Sequence, residues 1–273
     1  MAETSYGDER RFEFVRAIIE RQRAARILDI GCGTGMRLTR GLAKIFPATR
    51  FVGTDSDRGS IAWAQANNSD LPNLSFCRTD DLPPGERFDI IIASEVIEHV
   101  VDPPDFLLEL RRRLTDRGRI VLTLPNGYGP FEFMALTECL LHLSGLQALL
   151  RRVKYALLGK SVPRAPADSD TLAISPHVNF FSFGEITGLC AQAGFAVERS
   201  ANRCVLCGYI LDDLVRGPLL ALNTQLADRF PTWCVSDWML EMSVDRPPAP
   251  ASWERRAWAR FRKRLNERRW RIT

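Results

Sequence analysis

The sequence predicts an α/β fold in which helices cover both faces of a doubly wound, mostly parallel sheet. Segments with strand character alternate with segments of helical periodicity through the first half of the chain. The predicted strand Phe88–Ala93 is an unbroken apolar run, as expected for a strand buried on both faces. Another apolar run, Ile27–Ile30, leads into the alternating glycines Gly31, Gly33 and Gly35, a pattern that indicates a strand, a tight turn and a helix. Ligands of such a sheet bind beyond the carboxyl ends of its strands.

Each predicted element follows from a local pattern. Glu9–Arg23, for example, has apolar residues at helical spacing, and we expect its arginines to lie on the opposite face. The predicted strands are Ile27–Ile30, Phe51–Thr54, Leu74–Cys77, Phe88–Ala93, Arg119–Leu124, Phe195–Glu198 and Val235–Met242. The predicted helices are Glu9–Arg23, Leu38–Phe46, Ile61–Ala66, Pro103–Leu114, Phe183–Ala193 and Ile210–Arg229, with one or two more in Phe131–Leu158.

The composition is that of a globular enzyme. The chain has 273 residues, of which 45% are hydrophobic, so it can form one large domain or a domain with an insertion. Its seven cysteines are scattered, which predicts reduced thiols. The single C-x-x-C, Cys204 and Cys207, lacks the second pair of a structural zinc site and is interpreted as two core cysteines. The sequence has no apolar leader and no run of eighteen apolar residues, so we expect a cytoplasmic protein.

The basic residues are concentrated at the C-terminus. Ser252–Thr273 carries a net charge of +7 against +4 for the whole chain, so the remainder is acidic. Trp253, Ala257, Phe261 and Leu265 recur at four-residue steps among arginines, which predicts a basic amphipathic helix. Such a helix could dock on the protein's own acidic body, lie on an anionic membrane surface or bind nucleic acid. Docking on the body is the favoured interpretation.

The glycine turn by itself leaves several nucleotide-binding families open. Its spacing is G-x-G-x-G, with Met36 where a dinucleotide fingerprint needs a glycine, and no P-loop lysine follows. Asp55, at the end of the second predicted strand, is placed to accept both ribose hydroxyls of a nucleoside.

A third motif, the string from Phe88 to Val100, narrows the choice. With the glycine turn, Asp55 and the later run Leu122–Asn126, it resembles class I S-adenosylmethionine (SAM)-dependent methyltransferases, and within them the small-molecule branch that includes ubiquinone-biosynthesis-type O-methyltransferases. The resemblance covers Arg26–Asn126 well and His177–Ser200 moderately. It implies a Rossmann-like, seven-stranded sheet and SAM as the cofactor. A helical insertion is predicted separately, because the alternation of strands and helices breaks between Gly127 and Pro176.

The resemblance also implies site residues. Asp29 would orient the glycine turn and face the cofactor's amino group. Asp80 or Asp81, with Asp80 favoured, would bond the adenine amine. The implied cofactor-binding residues are Asp29, Gly31, Cys32, Gly33, Gly35, Asp55, Ser56, Asp80, Asp81, Ser94 and Glu95.

Glu95, Glu98 and His99 are spaced i, i+3 and i+4, so on a helical turn they would share one face. The favoured interpretation makes Glu95, His99 and His177 catalytic and assigns no metal ligand, with His99 as a base or orienting group. Two carboxylates and two imidazoles are nevertheless plausible ligands of Mg²⁺, Mn²⁺ or Zn²⁺. Metal-using relatives of the resembled family carry the same E-x-x-E-H pattern, so this alternative stays open.

The predicted organisation has four parts: residues 1–126 as the SAM-binding half, 127–176 as a helical lid insertion, 177–246 as the rest of the same domain and 247–273 as a linker with the basic tail. We expect methyl transfer to a small-molecule or lipid-linked acceptor, at oxygen. The tail could add peripheral membrane contact, and we expect no nucleic acid partner. The alternatives are a metal-dependent RNA 2′-O-methyltransferase using Glu95, Glu98, His99 and His177, and a non-catalytic SAM-fold binding protein.

Overall fold

A computed structural model describes residues 4, 6–36, 38–146, 149, 152–153, 156, 176–207, 217–250 and 253–270. Its centre is a seven-stranded sheet with the order β3-β2-β1-β4-β5-β7-β6. Strand β7 runs antiparallel to both neighbours, whereas β1 to β5 pair in parallel. The strands are β1 Arg26–Ile30, β2 Arg50–Asp55, β3 Leu74–Arg78, β4 Phe88–Ser94, β5 Leu114–Pro125, β6 Phe195–Asn202 and β7 Asp237–Val244. The predicted fold class is confirmed.

Helices flank the sheet, and short 3₁₀ turns cover Thr79–Asp81, Ala227–Arg229 and Thr232–Cys234. The α-helices are α1 Asp8–Gln22, α2 Thr39–Ile45, α3 Arg58–Asn67, α4 Pro103–Arg112, α5 Pro130–Leu143, α6 Phe183–Gln192, α7 Pro218–Gln225 and α8 Ala257–Trp270. Of the predicted helix Ile210–Arg229, residues 208–216 lie outside the described residues, as does most of the predicted insertion beyond residue 146.

The two faces of the sheet form two hydrophobic clusters. One contains Ile18 of α1 and Leu42 of α2, both fully buried against β1 and β2. The other contains Leu107 of α4 and Ile186 of α6, packed on β4, β5 and β7. Because both faces are covered, the middle of the central strand β4, from Ile90 to Ala93, is apolar and fully buried, as the apolar run predicts.

Strand register sets the position of the functional edge. Ile30 pairs with Thr54 on one side and with Ala93 on the other. The residues that follow these strands, namely the glycine turn, Asp55 and Glu95, therefore meet at one carboxyl edge of the parallel strands.

Helix α1 departs from its predicted amphipathic pattern. Arg11 was expected on the exposed face but is only 7% exposed, because its side chain is ion-paired with Asp8 and donates to Ser94 Oγ at 3.1 Å. Arg11 lies four residues before Val15 and seven before Ile18, so it belongs to the buried stripe.

The C-terminal helix α8 docks on the protein's own body, as the favoured interpretation predicted. Its buried face contains Ala259 and Arg262, and Arg262 pairs with Glu132 on α5. Phe261 of the predicted apolar stripe is 48% exposed. The helix is thus held by arginines on acidic groups more than by its aromatic residues. Among the described residues, no helix is long and apolar enough to cross a membrane.

Candidate active site

The glycine turn is a backbone structure that only glycine adopts easily. Gly31, Gly33 and Gly35 have φ angles of 72°, 55° and 70°, in the left-handed region. The amides of Gly31 and Cys32 both donate to the carbonyl oxygen of Thr54, at 2.7 and 2.9 Å. A Cβ atom at Gly31 would collide with the side chain of Val96, so the turn is packed directly against the segment after β4.

Asp55 is bonded to that turn. Its Oδ2 accepts from the Gly33 amide at 2.8 Å, and Oδ1 accepts from the Asp57 amide at 2.9 Å. The carboxylate is half-buried at the end of β2, beside the turn, where a nucleoside ribose would be bound. Ser56, the next residue, is exposed.

Asp29 lies beneath the turn rather than at its surface. It is 3% exposed and accepts from Thr39 Oγ1 at 2.6 Å, which ties β1 to the first turn of α2. Burial raises the pKa of Asp29 to about 6, partly offset by the Thr39 hydrogen bond.

Asp80 and Asp81 lie in the 3₁₀ turn that follows β3. Because Arg78, the last residue of β3, pairs with Asp55 at the end of β2, both aspartates lie at the same carboxyl edge of the sheet as Asp55. Both are exposed, and Asp80 is ion-paired with Arg78 at 2.7 Å.

The segment after β4 is a turn, so the expectation that Glu95, Glu98 and His99 share one face of a helix is wrong. Glu95 has a positive φ of 58°, and its amide donates to the Thr123 carbonyl on β5. The chain reverses sharply here, and the Glu95 carboxylate binds partners on β5 and beyond β6. Oε1 accepts from Thr123 Oγ1 and from Arg203 Nη1, both at 2.8 Å.

Arg203 links this carboxylate to a second one. Its Nη2 lies 2.9 Å from Oδ1 of Asp237, and the arginine is only 3% exposed. Burial works to raise the pKa of Glu95, but Arg203 and Arg11 outweigh it and hold the pKa below its ordinary value. Glu95 is therefore an ionised group held in a buried ion pair.

The two C-x-x-C cysteines complete this ion-pair network. The Cys204 and Cys207 thiols both donate to Oδ2 of Asp237, at 3.0 and 3.4 Å. Both are fully buried, and burial raises the pKa of each thiol. They are core cysteines, as interpreted from the sequence, and they hydrogen-bond a buried carboxylate.

Glu98, His99 and His177 form a separate group, here called the acid–imidazole cluster. One ligand atom from each residue lies within 4.8 Å of the others, and the two imidazole rings are T-shaped with centroids 4.8 Å apart. Residues 176–182, the segment before α6 that is here called the strap, pack on the turn after β4: the amides of Val178 and Asn179 both donate to the Glu98 carbonyl at 2.9 Å. The strap thereby brings His177 next to Glu98 and His99, which lie 79 and 78 positions earlier in the chain.

The cluster contains unpaired polar atoms. Both carboxylate oxygens of Glu98 and Nδ1 of His99 are buried without a hydrogen-bond partner among the described residues. The backbone of Pro176 acts to raise the pKa of His99, and Nδ1 is the ring nitrogen that has no partner among the described residues. A buried, unpartnered carboxylate is costly unless it is protonated or binds a cation.

Burial and neighbouring charges set the protonation states. Burial, with Glu95 nearby, raises the pKa of Glu98 to about 8, so this acid is largely protonated at neutral pH. Burial and His177 lower the pKa of His99 to about 4, which leaves a neutral imidazole. Burial acts to lower the pKa of His177, but the Glu132 carboxylate 2.6 Å from its Nδ1 raises it to about 9.

These donors fit a divalent cation. Oxygen and imidazole ligands suit Mg²⁺, Mn²⁺ or Zn²⁺, and the unpartnered oxygens of Glu98 face no competing donor among the residues that the structure describes. Glu95, the fourth ligand in the sequence-based alternative, is instead engaged by Arg203.

Sequence reasoning missed three residues that shape the site, namely Arg11, Arg203 and Glu132. Arg11 could have been found as the one charged side chain in the apolar stripe of α1. Arg203 and Glu132 gave no local signal, because their partners lie 108 and 45 positions away in the chain.

Most of the chain matches a known protein family. The model of a family described as "Methyltransferase domain" matches residues 7–200. The chain belongs to this family. The predicted membership of the class I SAM-dependent methyltransferases, with SAM as the cofactor that this family uses, is therefore confirmed.

Curated relatives share parts of the chain. The ubiquinone biosynthesis O-methyltransferase of Bradyrhizobium diazoefficiens is 38% identical over 104 residues, covering 37% of this chain and 40% of that protein. The malonyl-[acyl-carrier protein] O-methyltransferase of Halalkalibacterium halodurans is 32% identical over 135 residues, covering 45% and 48%. The chain thus spans about half the length of these relatives.

Solved structures share the fold. PKMT2 from Rickettsia typhi in complex with AdoHcy has a TM-score of 0.55 at 16% identity, covering 85% of this chain and 51% of that one. Magnesium protoporphyrin IX methyltransferase from Synechocystis, with bound SAH, has a TM-score of 0.52 at 14% identity, covering 88% and 84%. At these identities the likeness establishes the fold alone.

Proposed function

We propose that this methyltransferase transfers the methyl group of SAM to an oxygen atom of a small-molecule or lipid-linked acceptor. The observation that carries the proposal is the acid–imidazole cluster, which follows Val96, the residue packed against Gly31 of the cofactor turn. A neutral imidazole beside a protonated acid is suited to handling a hydroxyl proton. Two of the relatives are O-methyltransferases, which supports oxygen as the acceptor atom.

In this mechanism the glycine turn and Asp55 hold SAM, with Asp29 supporting the turn from below and Asp80 at the adenine end. The sulfonium makes the methyl carbon electrophilic, so the enzyme has mainly to align the acceptor oxygen with it. Nδ1 of His99 accepts the hydroxyl proton, and His177, which is protonated, stabilises the negative charge that develops on the oxygen. Glu95 acts through Arg203 to fix the turn that carries His99.

The acceptor half of the site is proposed to include the insertion, residues 127–176, as a lid. Helix α5 exposes Phe133, Leu140 and Leu143, which are 66%, 48% and 41% accessible. With the exposed Phe261 and the surface arginines of α8, these side chains support peripheral contact with an anionic membrane and a lipid-linked acceptor.

A second candidate is metal-assisted transfer at the same cluster, favoured by the unpartnered oxygens of Glu98. Glu98, His99 and His177 would hold the ion. Its chemistry would be to lower the pKa of the acceptor hydroxyl, so that an imidazole with a pKa as low as that of His99 could take the hydroxyl proton more readily.

The first test of the proposed function is calorimetric titration of SAM into the wild type and the Asp55→Ala variant. Losing a charged hydrogen bond to the ribose should cost about 1.5–3 kcal/mol, or about ten- to a hundredfold in affinity. Asp70→Ala, which removes an exposed carboxylate paired with Arg40, is the matched control and should bind SAM normally. Equal affinities of the wild type and Asp55→Ala for SAM would contradict the cofactor site.

The second test measures transfer of a radiolabelled methyl group to catechols, carboxylic acids and their long-chain or carrier-linked forms. We expect oxygen methylation that His99→Ala slows without changing SAM affinity. Activity that is lost on EDTA treatment and restored by Mg²⁺ or Zn²⁺ would select the metal-assisted version. Methylation of RNA 3′ ends in place of these acceptors would select the RNA alternative.

A further inference from the structure

The C-terminal helix α8 lies beyond residue 200, where the family match ends, yet it contacts the acid–imidazole cluster through one continuous chain of charged groups. We propose that Arg262 of α8 and Glu132 of α5 are positioning residues that fix His177 for methyl transfer. The proposal rests on the proposed function, because it requires His177 to act in the site.

The first step of this chain is the contact between Arg262 and Glu132. The Arg262 Nη1 donates to the Glu132 carbonyl oxygen at 2.6 Å, and Nη2 donates to Oε2 at 2.7 Å. Both residues are 1% exposed. A guanidinium that binds the main chain and the carboxylate of one residue fixes the rotation of that carboxylate, which a single point charge would not do.

The second step follows from the first. With Oε2 occupied by Arg262, Oε1 of Glu132 is the oxygen that meets Nδ1 of His177, at 2.6 Å. A proton on Nδ1 is thereby held towards Glu132, and the other ring nitrogen is left for the cluster with Glu98 and His99. Carboxylates that orient an imidazole through its second nitrogen are a common way to fix tautomer and ring angle.

Helix α8 also holds the guanidinium and the strap in place by other contacts. The Arg262 guanidinium lies over the rings of Phe180 and Trp258, with its carbon 4.9 and 5.6 Å from the ring centroids. Asn266, one turn later, donates to the His177 carbonyl at 3.1 Å. The same helix therefore fixes the backbone of His177 and, through Glu132, its ring.

Two roles of α8 can be separated by experiment. If the helix served stability alone, Arg262 variants would unfold more easily but leave the ring of His177 unchanged in the folded protein. If Arg262 positions His177, a folded variant would change the state of that ring and lower kcat while SAM affinity stays constant.

The chain has three histidines, so the imidazole nitrogens can be resolved by NMR of protein labelled with ¹⁵N-histidine. We would compare the EDTA-treated wild type with Arg262→Met, Arg262→Lys and Glu132→Gln, assigning signals with His142→Gln. Arg264→Met is the matched control, because Arg264 is on the same helix but exposed. Arg262→Lys keeps the charge and protects the test if Arg262→Met folds poorly.

We expect a hydrogen-bonded Nδ1 proton on His177 in the wild type and in Arg264→Met, and its shift or loss in Arg262→Met and Glu132→Gln. The kcat for the best acceptor of the panel should fall about 10- to 100-fold in these two variants, with partial rescue in Arg262→Lys. Unchanged His177 signals in folded Arg262→Met, or an unchanged kcat, would overturn the proposal. If the wild type methylates no acceptor, the proposed function fails, and the NMR comparison still decides whether Arg262 sets the state of His177.

Discussion

The candidate site has two halves that are built in different ways: the glycine turn with Asp55, proposed as the cofactor half, and the buried polar groups around the acid–imidazole cluster, proposed as the acceptor half. The cofactor half is made of main chain: three left-handed glycines, two amides on the Thr54 carbonyl and one amide on Asp55. The acceptor half is made of buried side chains from the turn after β4, the loop after β6, α5, the strap and α8. A backbone site tolerates changes in its surroundings but not in its glycines, whereas a buried polar network depends on every partner being present. The variants below test this difference.

The largest effect is expected in the acceptor half, from Arg203→Met. The variant leaves the carboxylates of Glu95 and Asp237 without their shared cation in a buried site, which should cost about 3–5 kcal/mol of unfolding free energy. Chemical denaturation would measure the loss. Arg16→Met, which removes only exposed ion pairs on α1, is the control and should behave like the wild type. A wild-type denaturation midpoint for Arg203→Met would show that this network is not essential to the fold.

The next effect is expected in the cofactor half, from Gly31→Ala. The left-handed φ costs a non-glycine residue about 1–2 kcal/mol, and the collision with Val96 adds about 1–3 kcal/mol. SAM affinity should fall because Val96 or the turn must move. Gly85→Ala has a similar φ of 81° but meets no atom within 4 Å, so it isolates the backbone strain. If Gly31→Ala and Gly85→Ala lower the unfolding free energy by the same amount, the collision with Val96 contributes nothing to the loss.

The smallest of the three effects is a pH dependence of stability that arises only in the acceptor half. The pKa of His177 is raised to about 9 from an ordinary value near 6.5, so its contribution is complete below pH 6.5 and is lost as the pH rises to 9. The raised pKa of Glu98, about 8, acts in the same direction, because folding disfavours its ionised form. We expect the unfolding free energy to fall by roughly 2–3 kcal/mol between pH 6.5 and 9 through His177 alone, with Glu98 adding to the fall.

Thermal unfolding at several pH values would measure this slope, and His177→Gln should flatten it. A stability that rises over the same interval would contradict the assigned protonation states. Asp29 does not contribute in this range, since its pKa of about 6 confines its effect to lower pH.

The sequence alone determined the sheet and the cofactor half. Apolar runs and glycines are local signals, and the glycine turn, Asp29 and Asp55 lie on consecutive elements whose parallel register brings them to one edge. It also suggested that His99 and His177 belong together, through resemblance and not through any local pattern.

Only the tertiary structure decided the rest of the acceptor half. The positive φ of Glu95 directs its carboxylate to Arg203, a partner 108 positions away, where helical spacing had grouped it with Glu98. Likewise, Arg262 could be counted as a tail charge in the sequence, but its contact with Glu132 exists only once α8 has packed on α5. Buried ion pairs form between elements that are distant in the chain, so no periodicity or motif records them, whereas a backbone turn is encoded by the few residues that form it.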